Sequence, residues 1–179
     1  MHEAGLIYGE ALYGLATEDA CAERVAQDLA LVCRAAEEEP AYLPMLAEPS
    51  ITKQERRALL DEAWREHLHP YTLNFLKLLC DNGLIMKLPA CRKEFLRRYN
   101  RDRGILPVRA VSAAPLSPAQ QARLAQVLQE KTGKTIELTL TVDPDVLGGI
   151  RLDMEGLQLD GTVRHHLDAL QRLLQASSM

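Results

Sequence analysis

Two pairs of residues in this chain are of types that bind metal ions, so their spacing decides whether they share one. His67 and His69 lie two positions apart at a predicted helix end, and residues two apart on a helix point to different faces. Asp143 and Asp145 flank a proline, which is ordinary turn chemistry, and no third acidic ligand follows at the spacing of a calcium-binding loop. Neither pair is therefore predicted to hold a metal ion.

Nucleophilic and phosphate-binding signals are equally weak. Gly148 and Gly149 match neither the G-x-G-x-x-G nor the G-x-x-x-x-G-K-[ST] pattern, and no helix start follows them to hold a phosphate. The four cysteines are Cys21, Cys33, Cys80 and Cys91. No two form a C-x-x-C pair, and all lie in helical patterns, which predicts buried or half-buried free thiols. We therefore expect no catalytic residue, no metal and no cofactor.

The composition is that of an ordinary globular protein of 179 residues, with 47% hydrophobic and 26% charged residues and a formal net charge of -4. Because there is no basic excess, non-specific binding to nucleic acid is disfavoured. No apolar run approaches the roughly 20 residues that a membrane span needs, and the first residues lack the basic start and apolar core of a secretory signal. These features predict a soluble cytoplasmic protein.

The first part of the chain has the apolar period of helices, and six helices are expected there. Thr52 and Glu55 have the spacing of a capping box and open the fourth helix. Pro70 is expected to end that helix, and Thr72 to cap the fifth. The fifth helix is apolar on more than one side, so it is either central in a bundle or covers a partner.

The last third of the chain alternates apolar and polar residues as strands do. One helix interrupts this pattern, with Ser117 as its cap and Gly133 after its end. Two strands follow, and Asp160 is expected to cap a final helix. We therefore predict an α+β protein, in which a six-helix bundle over residues 1–105 precedes a small β-α-β-β-α domain over residues 106–179.

The segment between the last two predicted strands has the composition of a tight turn. The alternating apolar residues before it are Ile136, Leu138, Leu140 and Val142. The residues assigned to the turn are Asp143, Pro144, Gly148 and Gly149. Since glycine adopts positive φ without steric cost, the glycines indicate backbone geometry and not chemistry. We expect this turn to join a small pair of strands.

Seven short motifs occur in the order in which one protein family has them. They lie at residues 8–13, 48–51, 72–79, 113–117, 131–134, 142–150 and 159–163. Residues 74–79 are similar to the family's N-F-L-x-L-L motif, and residues 142–150 to its V-D-P-x-[LI]-[IL]-G-G-[IVL] motif. The whole chain resembles the delta subunit of F-type ATP synthases, related to the mitochondrial oligomycin-sensitivity-conferring protein. One departure is Gly9, where the family has alanine, at an expected cost to the helix of about 0.5–1 kcal/mol.

The resemblance implies a non-catalytic stator subunit that joins the catalytic head to the b-subunit peripheral stalk and so couples rotation to proton-driven ATP synthesis. It places the chain at the cytoplasmic face of the bacterial cell membrane, attached only through the complex. The groove expected for the N-terminal helices of alpha subunits lies between the first and fifth helices, at Tyr8, Ala11, Leu12, Leu15, Phe75, Leu76 and Leu79. The residues expected to face the b subunits are Val163, Leu167 and Leu170.

Alternatives stay open at this point. The apolar residues of the fifth helix are also what a plain core helix needs. The basic residues of the sixth helix form either a solvated face or a partner surface; they are Arg92, Lys93, Arg97, Arg98, Arg101 and Arg103. A general helical protein-protein adaptor and an enzyme with a weak site are the two competing classes of function.

Overall fold

The protein forms two compact units in the computed structural model, Met1–Tyr99 and Asn100–Met179. The structure describes residues 3–146, 148–154 and 157–160. Within these ranges it has seven α-helices and one four-stranded sheet, so the fold is α+β as predicted. The division between the units lies in the last turn of the sixth helix, whereas the predicted boundary after residue 105 falls inside the first strand.

Six of these helices precede the first strand. Their bounds are α1 (Glu3–Glu18), α2 (Ala22–Glu38), α3 (Tyr42–Ala47), α4 (Lys53–Trp64), α5 (Pro70–Asp81) and α6 (Leu88–Asp102). A short 3-10 turn, Ile85–Lys87, lies between α5 and α6. In the part of the chain that the structure describes, no helix is long and apolar enough to cross a membrane.

The core of the helical unit is mostly aliphatic, and its cysteines belong to it. Cys33, Cys80 and Cys91 are buried and Cys21 is half-buried, all as free thiols, which confirms the prediction. Burial raises the pKa of Cys80 and of Cys91 to about 11. The two thiols therefore stay protonated near neutral pH and act as small apolar groups.

The helix ends follow the sequence signals only in part. The capping box is confirmed: the Thr52 N–H donates to Glu55 Oε2 at 2.8 Å, and the Glu55 N–H donates to Thr52 Oγ1 at 3.3 Å. The roles predicted for Pro70 and Thr72 are wrong. The fourth helix ends earlier, at Trp64, and Pro70 is the first residue of α5, where its missing N–H has no cost. His69 is the N-cap of α5, and Thr72 lies inside the helix.

Helix α1 crosses α6 through two glycines. A Cβ atom at Gly5 would lie 2.7 Å from Cβ of Ala90, and one at Gly9 would lie 2.5 Å from the backbone oxygen of Cys91. Because real Cβ atoms do not approach that closely, α1 reaches this position only with glycine at both sites. Gly9 is therefore a packing requirement and not, as its helix propensity suggested, a defect in the helix.

Beside this crossing lies a buried carboxylate, Glu94, with a side chain that is 4% exposed. Its Oε1 is 2.7 Å from Nη2 of Arg97 and 2.8 Å from Nε of Arg98. Arg98 also reaches Glu10 of α1, at 2.8 Å. Hydrogen bonds from Arg97, and after them those from Arg98, hold the pKa of Glu94 at about 2, against the penalty of burial. Much of the basic character of α6 is thus neutralised within the protein.

The second unit contains α7 (Pro118–Thr132) and four strands. These are β1 (Ile105–Ser112), β2 (Thr135–Val142), β3 (Ile150–Met154) and β4 (Leu157–Asp160), in the sheet order β2-β1-β3-β4. Helix α7 begins and ends as predicted, with a capping box at Ser117 and with Gly133 at φ 67°. The fourth strand was not predicted. Asp160 is its last residue, and the final helix expected after it lies outside the described residues.

The strand pair expected across residues 142–150 is wrong, because β2 and β3 do not pair with each other. Strand β1 lies between them, parallel to β2 and antiparallel to β3. The connecting segment passes the end of β1, where the Asp143 N–H donates to the Ser112 carbonyl at 2.9 Å. Gly148 at φ 139° and Gly149 at φ 84° then turn the chain into β3, in a conformation that other residues rarely adopt.

The sheet has one apolar face, which α7 covers in part. Leu106 and Val108 of β1 are buried there with Leu128 of α7, and Ile136 and Leu138 of β2 pack against them. The two remaining residues of the predicted β2 stripe, Leu140 and Val142, lie on the same face by register but are 36% and 47% exposed. The alternation therefore gives the correct face of β2 but not how far its burial extends.

The glycine crossing predicts opposite effects at two positions of α1. Gly9→Ala should lower the free energy of unfolding by about 1–2 kcal/mol, because overpacking outweighs the gain in helix propensity. Gly14→Ala is the matched control: nothing lies within 4 Å of its added Cβ, so it should raise stability by about 0.5–1 kcal/mol. Urea unfolding followed by the fluorescence of Trp64, the single tryptophan, measures both. A Gly9→Ala protein as stable as Gly14→Ala would contradict this packing.

The lowered pKa of Glu94 predicts that the free energy of unfolding depends on pH in the acid range. Its folded pKa of about 2 is lower than its ordinary value of 4.5, so its contribution to stability is complete above 4.5 and is lost as pH falls towards 2. Glu94→Gln should therefore be less stable than the wild type at neutral pH, and the difference should shrink as pH falls through this range. Urea unfolding at a series of pH values tests this. Glu38→Gln, at an exposed carboxylate, is the control and should leave the pH profile of the wild type unchanged.

Candidate partner-binding groove

Helices α1 and α5 lie antiparallel and are joined by two side-chain hydrogen bonds. Asn82, just after α5, donates through Nδ2 to the Tyr8 hydroxyl at 3.3 Å. At the other end, the Tyr71 hydroxyl donates to the carboxylate of Asp19. The two contacts are about three helical turns apart along each helix. They bound a surface strip between α1 and α5, which we call the α1/α5 groove.

Four of the seven residues predicted for this groove are buried in the core. Leu12 is 4% exposed, Phe75 is 6% exposed, and Leu76 and Leu79 are fully buried. These side chains support the groove from beneath and do not present themselves to a partner. An aspartate at Leu76 would place a charge in the core, so that substitution tests stability and not binding.

The exposed part of the groove comes from both helices. On α1, Ala11 is exposed, Leu15 is 52% exposed and Tyr8 is half-buried. On α5, Asn74 and Leu78 are exposed, Leu78 by 47%. The predicted site did not include Leu78. Its signal in the sequence is that it lies off the buried stripe of α5, where a core helix would carry a polar residue.

The start of α5 is fixed by a buried carboxylate that no sequence pattern singles out. Asp28 of α2 is 2% exposed. Its Oδ2 accepts the His69 N–H at 2.7 Å and the Thr72 hydroxyl at 3.0 Å, and its Oδ1 is 3.0 Å from Nε of Arg24. Arg24 also donates to the His67 carbonyl at 2.6 Å. The segment before α5 and its first turn are therefore held to α2.

The two histidines before α5 have a structural role. His67 and His69 belong to this connection to α5, where His69 Nδ1 accepts the Tyr71 N–H at 3.3 Å. Within residues 3–146, 148–154 and 157–160, no three His, Cys, Asp or Glu side chains are grouped so as to hold a metal ion. The residues predicted to face b subunits, Val163, Leu167 and Leu170, lie outside the described residues.

Comparison with known proteins gives the same family at the level of sequence. The family model "ATP synthase delta (OSCP) subunit" matches residues 6–174. The ATP synthase subunit delta of Rubrobacter xylanophilus is 34% identical, with 93% of each chain covered. The mitochondrial ATP synthase subunit O of Arabidopsis thaliana is 30% identical over 92% of this chain and 70% of its own.

The fold is also found in a solved structure. A chain in the cryo-EM structure of the Toxoplasma gondii mitochondrial ATP synthase hexamer superposes with a TM-score of 0.80, covering 96% of this chain and 97% of that one. The two sequences are 22% identical, so this likeness concerns the fold alone. Because the family model matches nearly the whole sequence and a relative is 34% identical, the chain belongs to the ATP synthase delta (OSCP) subunit family.

Proposed function

We propose that this chain is the non-catalytic stator subunit of an F-type ATP synthase, linking the catalytic head to the b-subunit peripheral stalk. Rotation of the central shaft drives catalysis only if the head is prevented from turning with it. A subunit with this task needs partner surfaces and no reaction chemistry of its own. The family match over residues 6–174 carries the proposal. In this proposal the chain is held at the cytoplasmic face of the membrane through the other subunits of the complex.

The helical unit binds the N-terminal helix of an alpha subunit in the α1/α5 groove. Three features support this assignment: apolar side chains exposed on both helices, a firm base of buried leucines, and hydrogen bonds at both ends. Leu15 and Leu78 then insert between the apolar residues of an amphipathic partner helix, as in other helix-in-groove complexes. Leu12 and Leu76, which the sequence suggested as contacts, set the shape of the surface from below.

The second unit is assigned to the b subunits. Its sheet keeps exposed apolar side chains on the face that α7 covers only in part, namely Leu140, Val142 and Leu159. Exposed apolar groups that share one face are a feature of partner surfaces. The helical region expected at Val163, Leu167 and Leu170 follows this face in the sequence and is assigned to the same partner.

A general helical adaptor is the competing function, and the proteins that co-purify with this chain distinguish the two. A tagged copy of the full chain purified from its native membrane should bring with it the alpha, beta and b subunits of the ATP synthase in constant proportion. Recovery of other proteins without ATP synthase subunits would contradict the proposal and favour the adaptor.

The groove assignment predicts a loss of affinity without a loss of folding. Leu15→Asp places a charge in the contact, and because Leu15 is 52% exposed the substitution leaves the core intact. Calorimetry with the alpha-subunit N-terminal peptide of the same organism should show affinity at least about tenfold weaker, since the charge must be desolvated. Leu31→Asp is the matched control, on an exposed leucine (42%) of α2 outside the groove, and should bind as the wild type does. If Leu15→Asp binds the peptide as tightly as the wild type and Leu31→Asp do, the groove assignment is refuted.

A further inference from the structure

We propose that Tyr71 is a positioning residue of the α1/α5 groove, which holds α1 at a fixed distance from α5 before a partner arrives. This inference rests on the proposed function, because it concerns how the same groove is set for its helical partner. It differs from the contact residues in that Tyr71 acts through α1, by way of Asp19.

The outer end of Tyr71 holds α1. Its hydroxyl donates to the carboxylate of Asp19, which lies one residue beyond the end of α1 and is exposed. This hydrogen bond is the main reason that the pKa of Tyr71 is raised above its ordinary value, because ionising the phenol would remove the proton that it donates to Asp19. A hydrogen bond to a charged acceptor is among the stronger polar contacts in proteins. Asp19 is therefore tied to the start of α5.

The inner end of Tyr71 cannot move freely. Its N–H donates to Nδ1 of His69 at 3.3 Å, and its ring meets the His69 ring edge-on, with centroids 5.3 Å apart. His69 in turn donates its N–H to the buried carboxylate of Asp28 at 2.7 Å. A continuous series of hydrogen bonds thus runs from α2 through the start of α5 to the end of α1. Moving Tyr71 would break its hydrogen bonds to both Asp19 and His69.

The exposed contact residues lie between this point and the second cross-helix contact. Tyr8 and Asn82 close the other end of the groove with a neutral hydrogen bond at 3.3 Å, longer than is usual for a strong one. The charged contact at Tyr71 is therefore the firmer of the two. Holding Leu15 and Leu78 at a set separation removes an ordering cost that binding would otherwise carry, which is how preorganisation raises affinity.

Removing the hydroxyl alone tests the proposal in the full-length chain. Tyr71→Phe keeps the ring and should weaken binding of the alpha-subunit N-terminal peptide about fivefold, because the groove is no longer held at its bound width. Asp19→Ala should do the same from the other side, and Asp19→Asn, which keeps an acceptor, should restore most of the affinity. Calorimetry gives the dissociation constants, and urea unfolding gives the stability of each variant.

Tyr42→Phe is the control for general loss of stability. It also removes a tyrosine hydroxyl that is hydrogen-bonded within the helical unit, to Trp64 Nε1 at 2.6 Å, but it lies on α3, away from the groove. It should lower stability without changing the affinity. The inference is overturned if Tyr71→Phe and Asp19→Ala bind as tightly as the wild type, or if Tyr42→Phe weakens binding equally. Failure of the wild-type chain to bind the peptide would instead overturn the proposed groove function itself.

Discussion

The burial of α5 among its neighbours is the constraint on which the helical unit depends. Its buried residues are Thr72, Leu73, Phe75, Leu76, Leu79 and Cys80. A helix buried on so many sides has few ways to shift, because a closely packed interior transmits any displacement to its neighbours. Asp28 adds a polar restriction, since a buried carboxylate that lost its donors at the start of α5 would be left uncompensated. The position of α1, and with it the groove, follows from that of α5 together with the close crossing of α1 and α6 at Gly5 and Gly9.

Local signals predict the helix ends at Thr52, Ser117 and Gly133 correctly, and they fail where the deciding contact is distant. The capping boxes at Thr52 and Ser117 need only residues within one turn, and both are present. A proline can either end a helix or begin one, and nothing near Pro70 decides between the two. Thr72 has the residue type of a cap, yet its hydroxyl is used by Asp28, which is far away in the sequence. Neither position was predictable from its neighbours.

The sheet shows the same limit for strands. Alternation predicts which side of β2 is apolar, because successive side chains point to opposite faces. Alternation does not predict which strand lies beside β2. In the sheet β1 lies between β2 and β3, although in sequence α7 separates β1 from β2, and β2 separates β1 from β3. The turn glycines have the positive φ that their residue type predicts, but the connection they shape passes the end of β1 and does not form a hairpin. In the same way, helix propensity makes Gly9 unfavourable, whereas the close approach of α6 requires a glycine there.

Four of the seven residues that the resemblance implies for the groove are buried, and helix periodicity explains why. In a helix, the most regular apolar stripe is the one that is buried, so Leu12, Phe75, Leu76 and Leu79 belong to the core. What is left for a partner is a narrow strip, and burial at about 25 cal/mol per Å² gives such a strip limited binding energy. Affinity at this surface must then depend on how well its few exposed side chains are placed beforehand. Polar contacts at the ends of the groove, which no hydrophobic pattern reveals, are what place them.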